Sequence, residues 1–231
     1  MTGQHFIMTT PIPSKNHLRL IPVLGILVFV VLYVLATFLY PGGSNAEVTT
    51  TGFDWLNNYW CDLMGSIAKN GAPNTARPIA LMAMFCLCAS LAFFWYDIPR
   101  LFKDSKFNQV LRYAGIASMA VTLFLFTDYH DTVIHIAGLL GLIALTGVLI
   151  GLHQYSMTTL FGYGVFCFVL MLFNYFIYET HILLSFLPII QKITFVLFLF
   201  WICLITIYFY QNDNSGPQKH KIQASVPSSP L

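Results

Sequence analysis

Charged side chains make up only 9% of this 231-residue chain, with eleven Lys and Arg against nine Asp and Glu. The net charge is +2, and the sequence holds no basic block, which argues against nucleic acid as a partner. Common catalytic signatures are also missing. There is no H-E-x-x-H or H-x-x-x-H pair for zinc, no G-x-S-x-G elbow and no glycine loop to cradle a phosphate. Cysteine is sparse. Cys86, Cys88, Cys167 and Cys203 fall inside apolar runs, where the thiol acts as a small hydrophobe, and Cys61 alone lies in a loop. No structural disulfide is expected. Cys86 and Cys88 are two apart and would point to nearly opposite faces of a helix, a poor geometry for a metal.

Apolar residues are abundant. They account for 57% of the chain, above the roughly 45–50% of an ordinary soluble domain, and the mean hydropathy is +0.72. Six runs approach the ~20 residues that a helix needs to cross a ~30 Å hydrocarbon core: 20–40, 79–96, 110–127, 133–152, 157–178 and 189–210. Strands of a membrane barrel would alternate in polarity, and these runs do not. The expected fold is therefore all-α, a six-transmembrane-helix bundle over residues 18–210. Polar, proline-containing tails flank it at 1–17 and 211–231. The first run follows Lys15 and Arg19, as a signal peptide would, but is longer than a usual signal core and is expected to stay as a span.

Six spans put both termini on one side. That side would carry Lys15, Arg19, Arg100, Lys103, Lys106, Arg112, Lys219 and Lys221, against Lys69, Arg77 and Lys192 on the other. Eight basic residues against three place both termini in the cytoplasm. Acids follow the opposite trend, with Glu47, Asp54, Asp62, Asp128, Asp131 and Glu179 outside. His130, His135 and His181 lie near them.

Three outer segments bring these groups together. In the long loop after the first run, Phe53, Leu56, Trp60, Leu63 and Ile67 recur at spacings of three and four. Asn58, Asp62, Ser66 and Lys69 occupy the opposite face. The spacing predicts an amphipathic interfacial helix, either a plain surface anchor or a platform holding Asp62 and Ser66 over the bundle. Arg77, just before the second run, would be a headgroup contact or an interface anchor. At the start of the fourth run Asp131 and His135 stand four apart on one helical face, with Asp128 near by. His135 would sit one turn inside, where an ionisable group needs a partner or a wet cavity. In the alternative reading Asp131 or Thr132 caps the helix, His135 is a packing residue, and Asp128 and His130 belong to the turn. The third segment supplies Asn174, Glu179 and His181, which would approach Asp131 and His135 if the fourth and fifth runs are neighbours. A solvated loop is the plainer reading of Glu179 and His181, and Tyr175 and Tyr178 are equally explained as interface aromatics.

D-L-M-G-S at Asp62 to Ser66 before the second run, F-T-D at Phe126 to Asp128, and His135 opening the fourth run form a recognisable order. The chain resembles the bacterial six-span membrane proteins grouped as domain-of-unknown-function family 998. It is more distantly similar to the DRAM-type membrane proteins. That resemblance implies a six-span topology over roughly residues 20–210 and, through its bacterial members, an inner-membrane location.

The combined expectation is a polar pocket on the extracytoplasmic face that binds or modifies a lipid or lipid headgroup. Asp62, Asp128, Asp131 and His135 would be its reactive core, and Ser66, Arg77, Asn174, Glu179 and His181 its binding residues. Asp131 and His135 are the candidate ligands for a divalent metal that would activate water; without one, a histidine near neutrality would serve as acid or base. As an enzyme it would be a lipid hydrolase or transferase. The competing class is a non-catalytic accessory or scaffold subunit packed on a membrane-protein partner. Transport ranks below both, because the mid-span positions are nearly free of charge.

Overall fold

The computed structural model describes residues 17–98 and 105–213; the expected tails at 1–16 and 214–231 lie outside the described residues. The described residues form six α-helices: α1 (Ile21–Leu39), α2 (Arg77–Asp97), α3 (Ser105–Thr122), α4 (His130–Gln154), α5 (Thr158–Thr180) and α6 (Leu187–Asp213). Five of them, all but α3, are long and apolar enough to cross a membrane. This is a helical, integral-membrane type of chain.

Local chemistry sets the helix starts. Pro22 and Pro78 occupy the first turns of α1 and α2, where the missing N–H costs no hydrogen bond. α3 stops at Thr122, five residues before the end of its apolar run. Residues Leu123–Phe126 continue as turns, with Phe124 N–H donating to the Val121 carbonyl at 2.9 Å and Leu125 N–H to Thr122 at 3.1 Å. α4 follows directly. Neither Asp131 nor Thr132 caps it: Tyr129 precedes its first residue and no side chain caps its N-terminus.

Each helix packs chiefly on a sequence neighbour. α1 lies most closely on α2, α3 on α4 and α5 on α6, while α2–α3, α4–α5 and α6–α1 contacts close the ring. Small residues allow the tightest approaches. A Cβ at Gly25 of α1 would overlap Ser90 of α2, and one at Gly164 of α5 would overlap the Trp201 ring of α6. Burial is uneven: 50% of the most apolar stretch of α2 is buried, but only 17% of that of α5.

The loop between α1 and α2 is where structure and expectation part. The expected amphipathic helix is absent, and only Trp60–Met64 forms a short 3-10 turn. The reason is competition from side chains. The Asp54 carboxylate accepts the backbone N–H of Leu56 at 2.9 Å and of Asn57 at 3.2 Å, which folds the chain into a turn. Asn58 is fully buried; its amide donates to the Gly43 carbonyl at 2.9 Å and to Asp62 at 3.1 Å, and its oxygen accepts the Asp54 N–H at 2.8 Å. Asn74 staples the far side, donating to the carbonyls of Asp62, Leu63 and Gly65 at 2.9–3.1 Å. Trp60 then points into the bundle, its ring 4.8 Å from Tyr33 of α1 and 6.1 Å from Phe195 of α6. The loop is a polar-stapled cap rather than a surface helix.

Candidate functional site

The cap and several helix ends beneath it converge on one cavity of about 920 Å³. Its walls come from the cap, the turn after α3, the start of α4, the end of α5 and the start of α6. Of the residues expected to form the site, Asp62, Ser66, Asp128, Asp131 and His181 line it. His135, Arg77, Asn174 and Glu179 do not.

Asp62 is an anchored acid. Its side chain is only 7% exposed, accepts the Tyr59 N–H at 2.8 Å and the Asn58 amide at 3.1 Å, and lies 3.6 Å from the Lys69 ammonium. These contacts place one oxygen in structural duty and leave the carboxylate at the cavity wall, where Lys69 balances its charge. Cys61 beside it is pushed up to about 12, first by burial and then by the charge of Asp62, so its thiol stays protonated at neutral pH.

Asp131 faces the cavity from the first turn of α4, where a negative charge suits the helix dipole. It does not pair with His135. Its Oδ1 accepts the Tyr178 hydroxyl of α5 at 2.5 Å and lies 3.3 Å from His130 Nδ1. His135 turns the other way, with Nε2 3.4 Å from Glu179 and its ring 5.9 Å from Tyr175 in an edge-on contact. α4 and α5 are therefore neighbours and Glu179 does reach the Asp131/His135 region, but two separate pairs form across their contact. Among the described residues, no group of three His, Cys, Asp or Glu side chains is gathered so that it could hold a metal ion.

Asn174 serves packing: its amide donates to Thr194 of α6 at 2.6 Å and to the Leu170 carbonyl at 2.8 Å. Arg77 opens α2, with its Nε buried and without a hydrogen-bond partner. His181 ends α5 in the left-handed conformation, φ 57°, which turns the chain so that it reaches the cavity.

The cavity also contains groups that the sequence reading left aside. His130, assigned to a turn, touches Asp131 and lines the wall, as do Tyr178, Tyr59, Lys69 and Gln191. Lys69 had a usable signal, seven residues after Asp62 on the same polar stripe. Tyr178 had none, because its contact with Asp131 spans 47 residues.

No family model matches this chain, and no curated protein or solved structure matches it either. The class is therefore defined by the fold and the site alone: a helical membrane protein with a stapled polar cap over a cavity at one end of its bundle.

Proposed function

We propose that this chain is a six-span membrane protein, with both termini in the cytoplasm, that binds the polar headgroup of a membrane lipid in its extracytoplasmic cavity. α3, 18 residues long, would be the sixth span at ~27 Å, close to the ~30 Å of a hydrocarbon core. The bias of basic residues toward the side of the termini supports the orientation. The order of D-L-M-G-S, F-T-D and His135 supports a place among the bacterial family-998-like proteins, and with it an inner-membrane location.

One observation carries the reading. A cavity of about 920 Å³ joins Asp62, Asp128 and Asp131 with Lys69, His130 and His181, and its remaining wall includes Phe126, Leu125, Ile134 and Leu184. Mixed charges on an apolar wall suit a group that is charged at one end and greasy at the other. A headgroup with both an anionic and a cationic centre would meet Lys69 and the acids together. Catalysis on the bound lipid, as hydrolysis or transfer, would use Asp128, Asp131 and His130, which are not tied into the fold of the cap.

The test is lipid content. The protein is purified in polymer-bounded native membrane discs and its retained lipid is identified by mass spectrometry. One lipid class should be enriched over the surrounding membrane, and Asp128→Asn with Lys69→Ala should erase the enrichment without loss of insertion. Lipid content equal to that of the bulk membrane would sink the proposal. The second reading, an accessory subunit packed on another membrane protein, is favoured by the sparse burial of α5, whose Phe166, Val169 and Phe173 are exposed. Under it, bulky polar substitutions on that face would matter and cavity substitutions would be silent.

A further inference from the structure

A second cavity of about 220 Å³ adjoins the first. It lies between α2 and the turns that follow α3, and its walls are Met64, Leu81, Met84, Phe85, Thr122, Leu123, Leu125 and Phe126. Met64, Leu125 and Phe126 line both cavities, so the polar chamber and this crevice share a wall. The crevice is chiefly apolar. Its single hydroxyl, on Thr122, is already spent on the Ser118 carbonyl at 2.8 Å. Phe85 is 60% exposed and Phe126 is 44% exposed, so the crevice opens sideways on the outer surface of the bundle.

The early end of α3 creates this space. Non-helical backbone near a membrane is tolerated where it lines a cavity; Leu123 lines the crevice, and Leu125 and Phe126 line both cavities. Phe85 lies eight residues into α2 from Arg77, about 12 Å down the helix from the cap end. That is the direction in which a hydrocarbon tail leaves a headgroup.

We propose that an acyl chain of the bound lipid runs in the crevice between α2 and the Leu123–Phe126 turns, with Met64, Leu125 and Phe126 at the junction of head and tail. This rests on the headgroup reading above. The occupant is an acyl chain because the opening is lateral, the walls offer no free hydrogen-bonding side chain, and the crevice shares Met64, Leu125 and Phe126 with the polar chamber. Phe166, Val169 and Phe173 on the exposed face of α5 line neither cavity.

The experiment uses the full chain in lipid nanodiscs doped with a phospholipid that carries a diazirine in mid-chain. Photolabelling is mapped by peptide mass spectrometry. Labels should concentrate on Leu81–Phe85 and Leu123–Phe126 over the α5 face, and Asp128→Asn with Lys69→Ala should remove that excess, which bulk-lipid contact would not do. Leu81→Trp, filling the crevice, should lower retained lipid by about tenfold, the effect of excluding roughly two methylenes. If this variant fails to insert, Met84→Phe gives the same readout with a smaller change. Uniform labelling around the bundle while one lipid class still co-purifies overturns the chain placement alone. Absence of any enriched lipid class from the unaltered protein overturns the headgroup reading itself.

Discussion

Lys192, near the start of α6, donates its ammonium to the backbone carbonyl of Asn58 across 134 residues of sequence. The same ammonium donates to the Pro188 carbonyl at 3.0 Å and sits 5.7 Å from the Phe53 ring. A buried cation thus ties α6 to the cap at one of the cap's fully buried residues. Lys192→Met keeps the length and removes the donor, leaving the Asn58 carbonyl buried without it. A loss of about 1–3 kcal/mol is expected, as for any buried acceptor deprived of its donor. Thermal unfolding in detergent would register it, together with faster proteolysis between residues 41 and 76. An unchanged melting temperature and cleavage pattern would show that the cap stands without this tie.

The bond from Tyr178 to Asp131 crosses α4 and α5 beside the cavity. Asp131 is 78% exposed at its side chain, so solvent screening leaves the pair with little influence on overall stability. Tyr178→Phe and Asp131→Asn should therefore leave the melting temperature in place but change which lipid is retained. A double-mutant cycle on lipid retention should show coupling between them. Fully additive effects would mean that the two groups act on the ligand separately.

His135 and Glu179 form their pair outside the cavity. His135→Ala and Glu179→Gln should both retain the same lipid as the unaltered chain, in the same amount. Metal analysis of the same preparations adds an independent readout. A metal that is present in the unaltered protein and lost with His135→Ala would relocate the chemistry to the α4–α5 surface.

Asp54 gives the cap a pH limit. The Asn57 side-chain amide holds its carboxyl below the ordinary carboxylate value, helped by the backbone N–H groups of Leu56 and Asn57 and by the charge of Lys192, against some opposing desolvation. A depressed folded-state value contributes stability above the unfolded value of about 3.9, and that contribution is lost as pH falls through the folded value. Hydrogen exchange in residues 54–58 should stay slow at neutral pH and accelerate below about pH 4. Asp54→Asn should remove much of that acid sensitivity. Exchange that does not vary with pH, beyond its intrinsic chemistry, would show that the carboxylate holds nothing.

The helices were legible because apolar length is a local property: five of the six expected runs are long apolar helices with ends shifted by a few residues. The third was legible as a helix but not at its end, since no glycine or proline marks the unwinding after Thr122. The cap was misread for a specific reason. Its period of three and four is real in the sequence, but Asp54, Asn58 and Asn74 bond to backbone groups and take the chain out of the helix. The gathering of Asp62, Ser66, Asp128, Asp131 and His181 around one cavity was legible from polarity at one end of the bundle. Their partners were not, because Asp131 with Tyr178 and His135 with Glu179 are settled by how α4 meets α5.

The pairing of helices has a consequence for biogenesis. α1 with α2, α3 with α4, and α5 with α6 are three hairpins, each most closely packed within itself. The cavity takes walls from all three. A ribosome-bound chain that has released only the first two hairpins would own the cap but lack His181, Gln191 and the Lys192 tether. On the headgroup reading proposed above, binding would begin only once the third hairpin docks, and occupancy of the cavity would then report completed assembly.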